Sequence, residues 1–213
     1  DSVEVHRNTR RASVSSNFLR EGQSIQTAYH ILKRALGSDY QKILAAEKTI
    51  PGRLKKIVDT IEDISGLEHF GAYLTLLFEV DALIANEDRH LNNIAILEEN
   101  GKYHYCPLFD NGEGLMLDNV KYPFDVETRG LMKHLRAKPF QCRFGTVLST
   151  ARDLYGAQLK IVCSAAEVSK IAEKYLDWYQ PMFRPFLKDR IVDVVLLQMK
   201  KYFDKERENH SQK

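Results

Sequence analysis

Apolar positions recur every three or four residues through most of the chain, a spacing that predicts a mainly helical protein. From Ser24 the rhythm Ile25, Ala28, Tyr29, Ile31, Leu32, Ala35 and Leu36 marks an amphipathic helix, capped by Ser24 and stopped at Gly37. A second helical stretch covers Tyr40 to Lys48, with Pro51-Gly52 breaking it. Leu54, Ile57, Val58, Ile61 and Ile64 then repeat at helical spacing up to Gly66. The most hydrophobic helix follows, roughly Leu67 to Ala85, carrying Phe70, Tyr73, Leu74, Leu77, Phe78 and Ile84. It is expected to be the buried spine of the protein and to fix the position of the loop it feeds.

After this helix the pattern changes. Residues 94–99 and 102–106 are strand-like runs flanking Asn100-Gly101, a pair in which both residues tolerate positive φ, so a two-stranded hairpin is predicted. Residues 115–140 carry no convincing periodicity. Helices resume over roughly Gln141 to Tyr155, and again from the capping box Ser164-Ala165-Ala166-Glu167 to Tyr179. A last one, after Pro181 and Pro185, runs through Ile191, Val194, Val195, Met199 and Tyr202. The ends read as appendages: a polar, basic segment 1–14, expected to be mobile or to cross from a preceding segment, and a charged tail 206–213 expected to fray. That leaves 15–205 as one domain. A structural tail is the default reading of 1–14; a phosphorylation site at Ser13, Ser15 or Ser16 is the alternative, since the nearby arginines would bind the phosphate.

Bulk properties narrow the function classes. A chain of 213 residues is long enough to bury a sizeable core. Its charges nearly cancel, to a net +2, which argues against a dedicated nucleic-acid or membrane-surface protein. Cys106, Cys142 and Cys163 are scattered and fit neither a disulfide framework nor a zinc spacing, so a reducing cytoplasm is the expected setting. No signal-peptide pattern is read at the start, and no apolar run approaches the ~20 residues of a membrane span, so no membrane partner is expected.

Candidate chemistry concentrates in Asn86-Glu87-Asp88-Arg89-His90-Leu91-Asn92-Asn93 and in Pro107-Leu108-Phe109-Asp110. The intervening hairpin returns Asp110 to the neighbourhood of Asp88 and Asn93. Phosphoryl transfer from a magnesium nucleotide needs one Asp to accept or orient the proton of the attacking hydroxyl. It also needs an Asn a few residues on to hold a metal, and a second Asp to bridge Mg²⁺ to the phosphates. Asp88, Asn93 and Asp110 fill those roles in that order. Magnesium takes hard oxygen ligands and keeps several waters, so one carboxylate and one amide suffice when phosphate oxygens complete the shell.

Each acid alone would read as an N-cap, a turn residue or a solvated charge; order, spacing and hairpin together make the set. His90 is read as bracing the loop, with a direct catalytic base as the alternative. Arg89 is read as pairing with a nearby acid, with a phosphorylated residue as the alternative. Asn111-Gly112-Glu113-Gly114 is flexible enough to approach phosphates, or is an ordinary loop. Gly66 and Gly71 have Walker A spacing, but Ala72-Tyr73 stand where Lys and Ser or Thr are required, so the match is accidental. No Gly-x-Gly-x-x-Gly occurs.

The order Asn-x-Asp-Arg-His-x-x-Asn, hairpin, Pro-Leu-Phe-Asp, followed by Lys138-Pro139-Phe140, resembles the C-terminal catalytic lobe of HipA-like serine/threonine kinases over most of residues 15–205. The loop is also similar to that of phosphoinositide kinases, in which Asp-Arg-His-x-x-Asn precedes Asp-Phe-Gly. Here the third motif is Asp110-Asn111-Gly112, so the Phe is replaced and the metal role is intact.

The resemblance implies the C-terminal lobe of a protein-kinase-like fold, mainly α with a small β-hairpin. It further implies an ATP- and Mg-dependent kinase acting on Ser or Thr of a protein substrate, with Asp88 and His90 catalytic and Asn93 and Asp110 holding the metal and nucleotide. A bacterial toxin–antitoxin pair with a small DNA-binding partner is the implied context. The glycine loop and strand Lys of an N-terminal lobe are not visible, so that lobe is expected to be missing or on another chain, and these residues alone to phosphorylate poorly. A lipid or small-molecule kinase with the same loop is one alternative, favoured by a basic, apolar surface near Lys121, Arg129, Lys133 and Arg136. A non-catalytic interaction module that keeps the scaffold is the other.

Overall fold

The computed structural model describes residues 2–5, 11–14, 16–138, 140–177 and 179–204. At its centre is helix α4, Phe70–Ile84. Phe70, Leu74, Leu77, Phe78 and Ala82 are all buried. A helix that is apolar around its whole circumference has no solvent face to offer, so it is enclosed by neighbours. Those neighbours are chiefly α6 (Phe144–Tyr155) and α8 (Arg184–Tyr202). Helix α3 (Ile50–Ser65) packs on α4, on α6 and on α1 (Ala28–Leu36), while α2 (Tyr40–Ala46) touches α1 and α3. Helix α7 (Ala165–Leu176) packs along α8.

Gly71 of α4 lets α6 come close. A Cβ there would stand 2.3 Å from Cδ1 of Tyr155, on α6. Gly66, for its part, ends α3 in the left-handed region with φ 67°, its N–H donating to the Glu62 carbonyl at 2.8 Å. Both glycines therefore serve helix ends and packing, and neither belongs to a phosphate loop. Gly71→Ala gains about 1 kcal/mol of helix propensity but forces the Tyr155 ring aside, and overpacking of this kind costs about 1–3 kcal/mol. A net loss of stability is expected in urea denaturation; a variant as stable as the parent would show that the ring yields freely.

The sheet differs from the expected hairpin by one strand. Strand β4 (Ala95–Glu99) pairs antiparallel with β5 (Lys102–Tyr105) across Asn100 and Gly101, whose φ values of 53° and 77° are those the turn chemistry predicts. A third strand, Gln23–Thr27, lies on the other side of β4, with Gln23 opposite Glu99 and Thr27 opposite Ala95. Ser24 is therefore a strand residue, bonded through its hydroxyl to Glu98 at 3.1 Å, and not a helix cap. Helix α1 begins later, with Thr27 accepting from the His30 N–H at 3.3 Å. Ile25 joins Ala95, Leu97 and Cys106 in an apolar cluster, and that burial decides the element. The hairpin is fastened to α4 by the Tyr73 hydroxyl, which donates to the Cys106 carbonyl at 2.8 Å.

Other elements differ from expectation as well, α2 ending at Ala46 and α6 beginning only at Phe144. Pro51 stands in the first turn of α3 instead of merely breaking α2, since a missing N–H is harmless there. The capping box at Ser164 and Glu167 forms as predicted, yet α7 ends at Leu176, short of Tyr179. Within the segment expected to be a mobile tail, β1 (Ser2–Val5) and β2 (Arg11–Val14) pair antiparallel, with Ser2 opposite Val14. Ser-Val-Glu-Val alternates with period two, which suits a strand. Ser13 falls in β2 and Ser16 is exposed, whereas Ser15, Pro139 and the tail 206–213 lie outside the described residues.

Residues 115–140, which carry no periodicity, contain a short helix α5 (Thr128–Leu131) and a 3₁₀ turn at Met132–His134. Their shape is imposed by Arg190 of α8, buried and donating to the carbonyls of Met116, Tyr122, Pro123 and Val126 at 3.0–3.4 Å. The protein is thus mainly helical, with a small three-stranded antiparallel sheet and a two-stranded ladder. Among the described residues no helix is long and apolar enough to cross a membrane.

Candidate functional site

Helix α4 carries Asp81 almost wholly buried near its C-terminal end. A charge in such surroundings requires a partner, and Arg89 supplies it: Nε and Nη2 each donate to one carboxylate oxygen at 2.9 Å. Burial pushes the Asp81 carboxyl up, against the opposing effects of Arg89 and the Asn86 amide. The Asn86 side chain donates to Asp81 at 2.8 Å and accepts from the Asp88 N–H at 3.2 Å, so the loop is hung directly on the helix end.

The remaining donors of Arg89 reach across the site. Nη1 donates to the carbonyls of Asn93 at 2.9 Å and of Phe109 at 2.8 Å, and Nη2 to the Asn111 side chain. One guanidinium thus fastens the loop 86–93 to the residues on either side of Asp110. Arg89 pairs with a nearby acid, as the first of the two sequence readings had it, but that acid lies in the core and the clamp extends to both motifs.

The expected site residues fall around this clamp. Asn93 is buried, and its Nδ2 donates to the Asp88 carbonyl at 3.3 Å. Among the described residues its Oδ1 accepts no hydrogen bond. Asp110 is exposed, adopts φ 54°, and its carboxylate likewise accepts no hydrogen bond among the described residues. Asp88 is half-buried and accepts a hydrogen bond from the Lys138 ammonium. That bond, more than any other influence, holds the Asp88 carboxyl below the ordinary Asp range.

The His90 Nε2 lies 3.8 Å from Asp88 Oδ2, beyond hydrogen-bond reach, and its Nδ1 is buried with no hydrogen-bond partner among the described residues. What His90 braces, it braces through its backbone: its N–H donates to the Asp88 carbonyl and its own carbonyl accepts from the Asn93 N–H, both at 2.8 Å.

Glu87, which the sequence did not single out, ties residues 115–140 to the loop. It accepts from the Tyr122 hydroxyl, from the Arg136 N–H at 2.7 Å and from Lys121 at 2.8 Å. Burial raises its carboxyl, but these donors outweigh burial and leave it below the usual range. Glu87 and Asp88 line an open cavity of about 200 Å³ with Glu113, Lys121, Arg136 and Lys138. Three cations there face three carboxylates, so the cavity carries no charge excess. The glycine run beside it divides: Gly112 is open, whereas a Cβ on buried Gly114 would stand 3.0 Å from Ile84 Cδ1, so this turn packs on α4.

Two of the unanticipated residues left a trace in the sequence. Glu79 and Asp81 are acids inside an otherwise apolar helix, a position acids rarely take without a dedicated partner. Glu79 accordingly meets Arg152 at 2.7 Å and the N–H groups of Gln158 and Leu159. Lys138 had only its place in the Lys-Pro-Phe segment, and Glu87 had nothing to mark it.

The side-chain atoms of Asn93 and Asp110 left without a hydrogen bond are oxygens, the ligand type a hard cation prefers. Among the described residues no three His, Cys, Asp or Glu side chains gather as a metal site. A magnesium site of one amide and one carboxylate makes no such cluster, since waters and phosphate oxygens fill the other positions. Asn93 Oδ1 and the Asp110 carboxylate are oxygens not engaged in a hydrogen bond among the described residues, and could serve as ligands of that kind. No family model matches this chain, and no curated protein or solved structure matches it either.

Proposed function

We propose that this chain is the lobe of an ATP- and magnesium-dependent phosphotransferase that positions the metal and the incoming hydroxyl, in the manner of HipA-like serine/threonine kinases. The Arg89 clamp carries this conclusion. By holding the carbonyls of Asn93 and Phe109 and the side chain of Asn111, it sets Asn93 and Asp110 on two backbones joined at one rigid group, next to Asp88. Magnesium, when bound with nucleotide, offsets the charge of the phosphates. Asn93 and Asp110 hold and orient that complex.

Asp88 aligns the substrate hydroxyl and takes up its proton, a role that requires the carboxylate form. The hydrogen bond from Lys138 favours that form and lowers the Asp88 carboxyl below its ordinary range. His90 keeps the loop turn closed through its backbone, and no proton-transfer step is assigned to it. The glycine loop and lysine that cover the phosphates belong, in this proposal, to a second lobe. A protein substrate, a cytoplasmic setting and pairing with a small DNA-binding antitoxin rest on the resemblance of the motifs alone. Because the charges around the Asp88 cavity balance, nothing in it favours an anionic lipid headgroup.

Transfer of radiolabel from ATP tests the proposal. Label should reach a protein substrate only with Mg²⁺, slowly for these 213 residues and faster when a phosphate-covering lobe is supplied. The acid limb of its pH profile should lie below the ordinary Asp range. Lys138→Met should move that limb upward, because the charged carboxylate loses the donor that favours it. Transfer that persists without divalent cation, or in Asp88→Ala, would overturn the assignment.

A further inference from the structure

We propose a second ligand site, for a compact phosphate group of multiple charge, in the cavity bounded by the turn Met132–His134, the start of α6 and the end of α8. This cavity holds about 350 Å³ and has Phe144, Gln198 and Tyr202 among its walls. Its volume is that of a small-ligand pocket. Lys133, Arg143 and Lys201 also line it, and no Asp or Glu does.

Among the described residues none of these three cations pairs with a carboxylate. The Asp88 cavity is the contrast, because there Lys121 binds Glu87 and Lys138 binds Asp88. Three like charges gathered without a counter-charge repel one another, and a multiply charged anion relieves that repulsion. A phosphate group suits the set better than a single carboxylate, since it offers separate oxygens to two ammonium groups and a paired face to the Arg143 fork. Helix α6 also begins here without a side-chain cap, so its first amides reinforce the positive potential. Gln198, fixed by its bond to the Ala82 carbonyl at 2.6 Å, makes one wall rigid.

The phosphate can come from a free polyphosphate or from a nucleotide. Pyrophosphate and ADP are therefore titrated separately into the full chain by calorimetry, in EDTA and at constant ionic strength. Without divalent cation the Asn93–Asp110 pair has no metal with which to hold phosphate, so the outcome is independent of the phosphotransfer proposal. Pyrophosphate should bind, and Arg143→Gln and Lys201→Gln should each weaken it by about tenfold or more, the usual effect of one charge-assisted bond. Arg143→Lys should recover part of the loss. Asp110→Asn and the remote Lys174→Gln should leave pyrophosphate affinity in EDTA unchanged.

ADP binding more tightly than pyrophosphate, with the same dependence on Arg143, identifies a nucleotide as the source; the reverse order identifies a free polyphosphate. The three residues are exposed, so their removal leaves the fold intact, which circular dichroism checks. Heats no larger than those of chloride at the same ionic strength would overturn the site. So would equal weakening by Lys174→Gln and Arg143→Gln, or a loss confined to Asp110→Asn.

Discussion

Arg89→Met is expected to destabilise the protein by about 3–5 kcal/mol, the usual consequence of removing one partner from a buried ion pair. The loss arises on the other side of the pair. Asp81 and Arg89 are 2% and 1% exposed, so Asp81 would keep its burial and lose the guanidinium that compensates its charge. The carbonyls of Asn93 and Phe109 would lose donors at the same moment. For a protein of this size each kcal/mol moves the melting temperature by about 2–4 °C, so a fall of roughly 10 °C should be seen by calorimetry.

Arg89→Lys should recover only part of it, because one ammonium cannot span a carboxylate, two carbonyls and an amide. Asp81→Asn combined with Arg89→Met should be less damaging than Arg89→Met alone, since the orphaned charge is then gone. Arg89 is proposed to touch neither metal nor nucleotide, yet its loss should also weaken magnesium-nucleotide binding by releasing the residues on both sides of Asp110. A change below about 1 kcal/mol, the range of an exposed pair, would mean that the clamp does not hold the site together.

Dependence on a distant partner also explains which features could be seen in the chain itself. The Asn100-Gly101 turn was legible because two adjacent residues determine its backbone, and both take the positive φ expected of them. The buried α4 was legible because apolar residues dominate its fifteen positions on every face, with only Glu79 and Asp81 charged. The strand Gln23–Thr27 was not, since Ile25 extends the rhythm of α1 without a break; only β4, some seventy residues later, shows it to be a strand. Within the site, Asp88, Asn93 and Asp110 were visible as an ordered set. Glu87, immediately before them in the chain, was hidden because its role is set by Tyr122, Lys121 and Arg136, in a segment without periodicity of its own. Arg190, which shapes that segment through four carbonyls, stands in the sequence as one more cation on a helix.

Asp110→Asn and Asp88→Asn should separate the two acids by role. Asn is the suitable replacement at position 110, where φ is 54°, because it tolerates the left-handed region that most side chains avoid. Loss of binding in that variant would then report loss of charge and not backbone strain. A nucleotide present at 100 times its dissociation constant stabilises the native state by about 2.7 kcal/mol, which is readily measured as a rise in melting temperature. Asp88→Asn should keep nearly all of this magnesium-dependent rise, since Asp88 is proposed to face the hydroxyl and its own partner is Lys138. Its phosphotransfer should nevertheless disappear. Asp110→Asn should lose both the rise and the transfer, because an amide in place of the carboxylate removes the only charged ligand offered to Mg²⁺ by the proposed pair. Equal loss of the rise in the two variants would mean that both acids hold one metal, and full transfer in either would remove that residue from the mechanism.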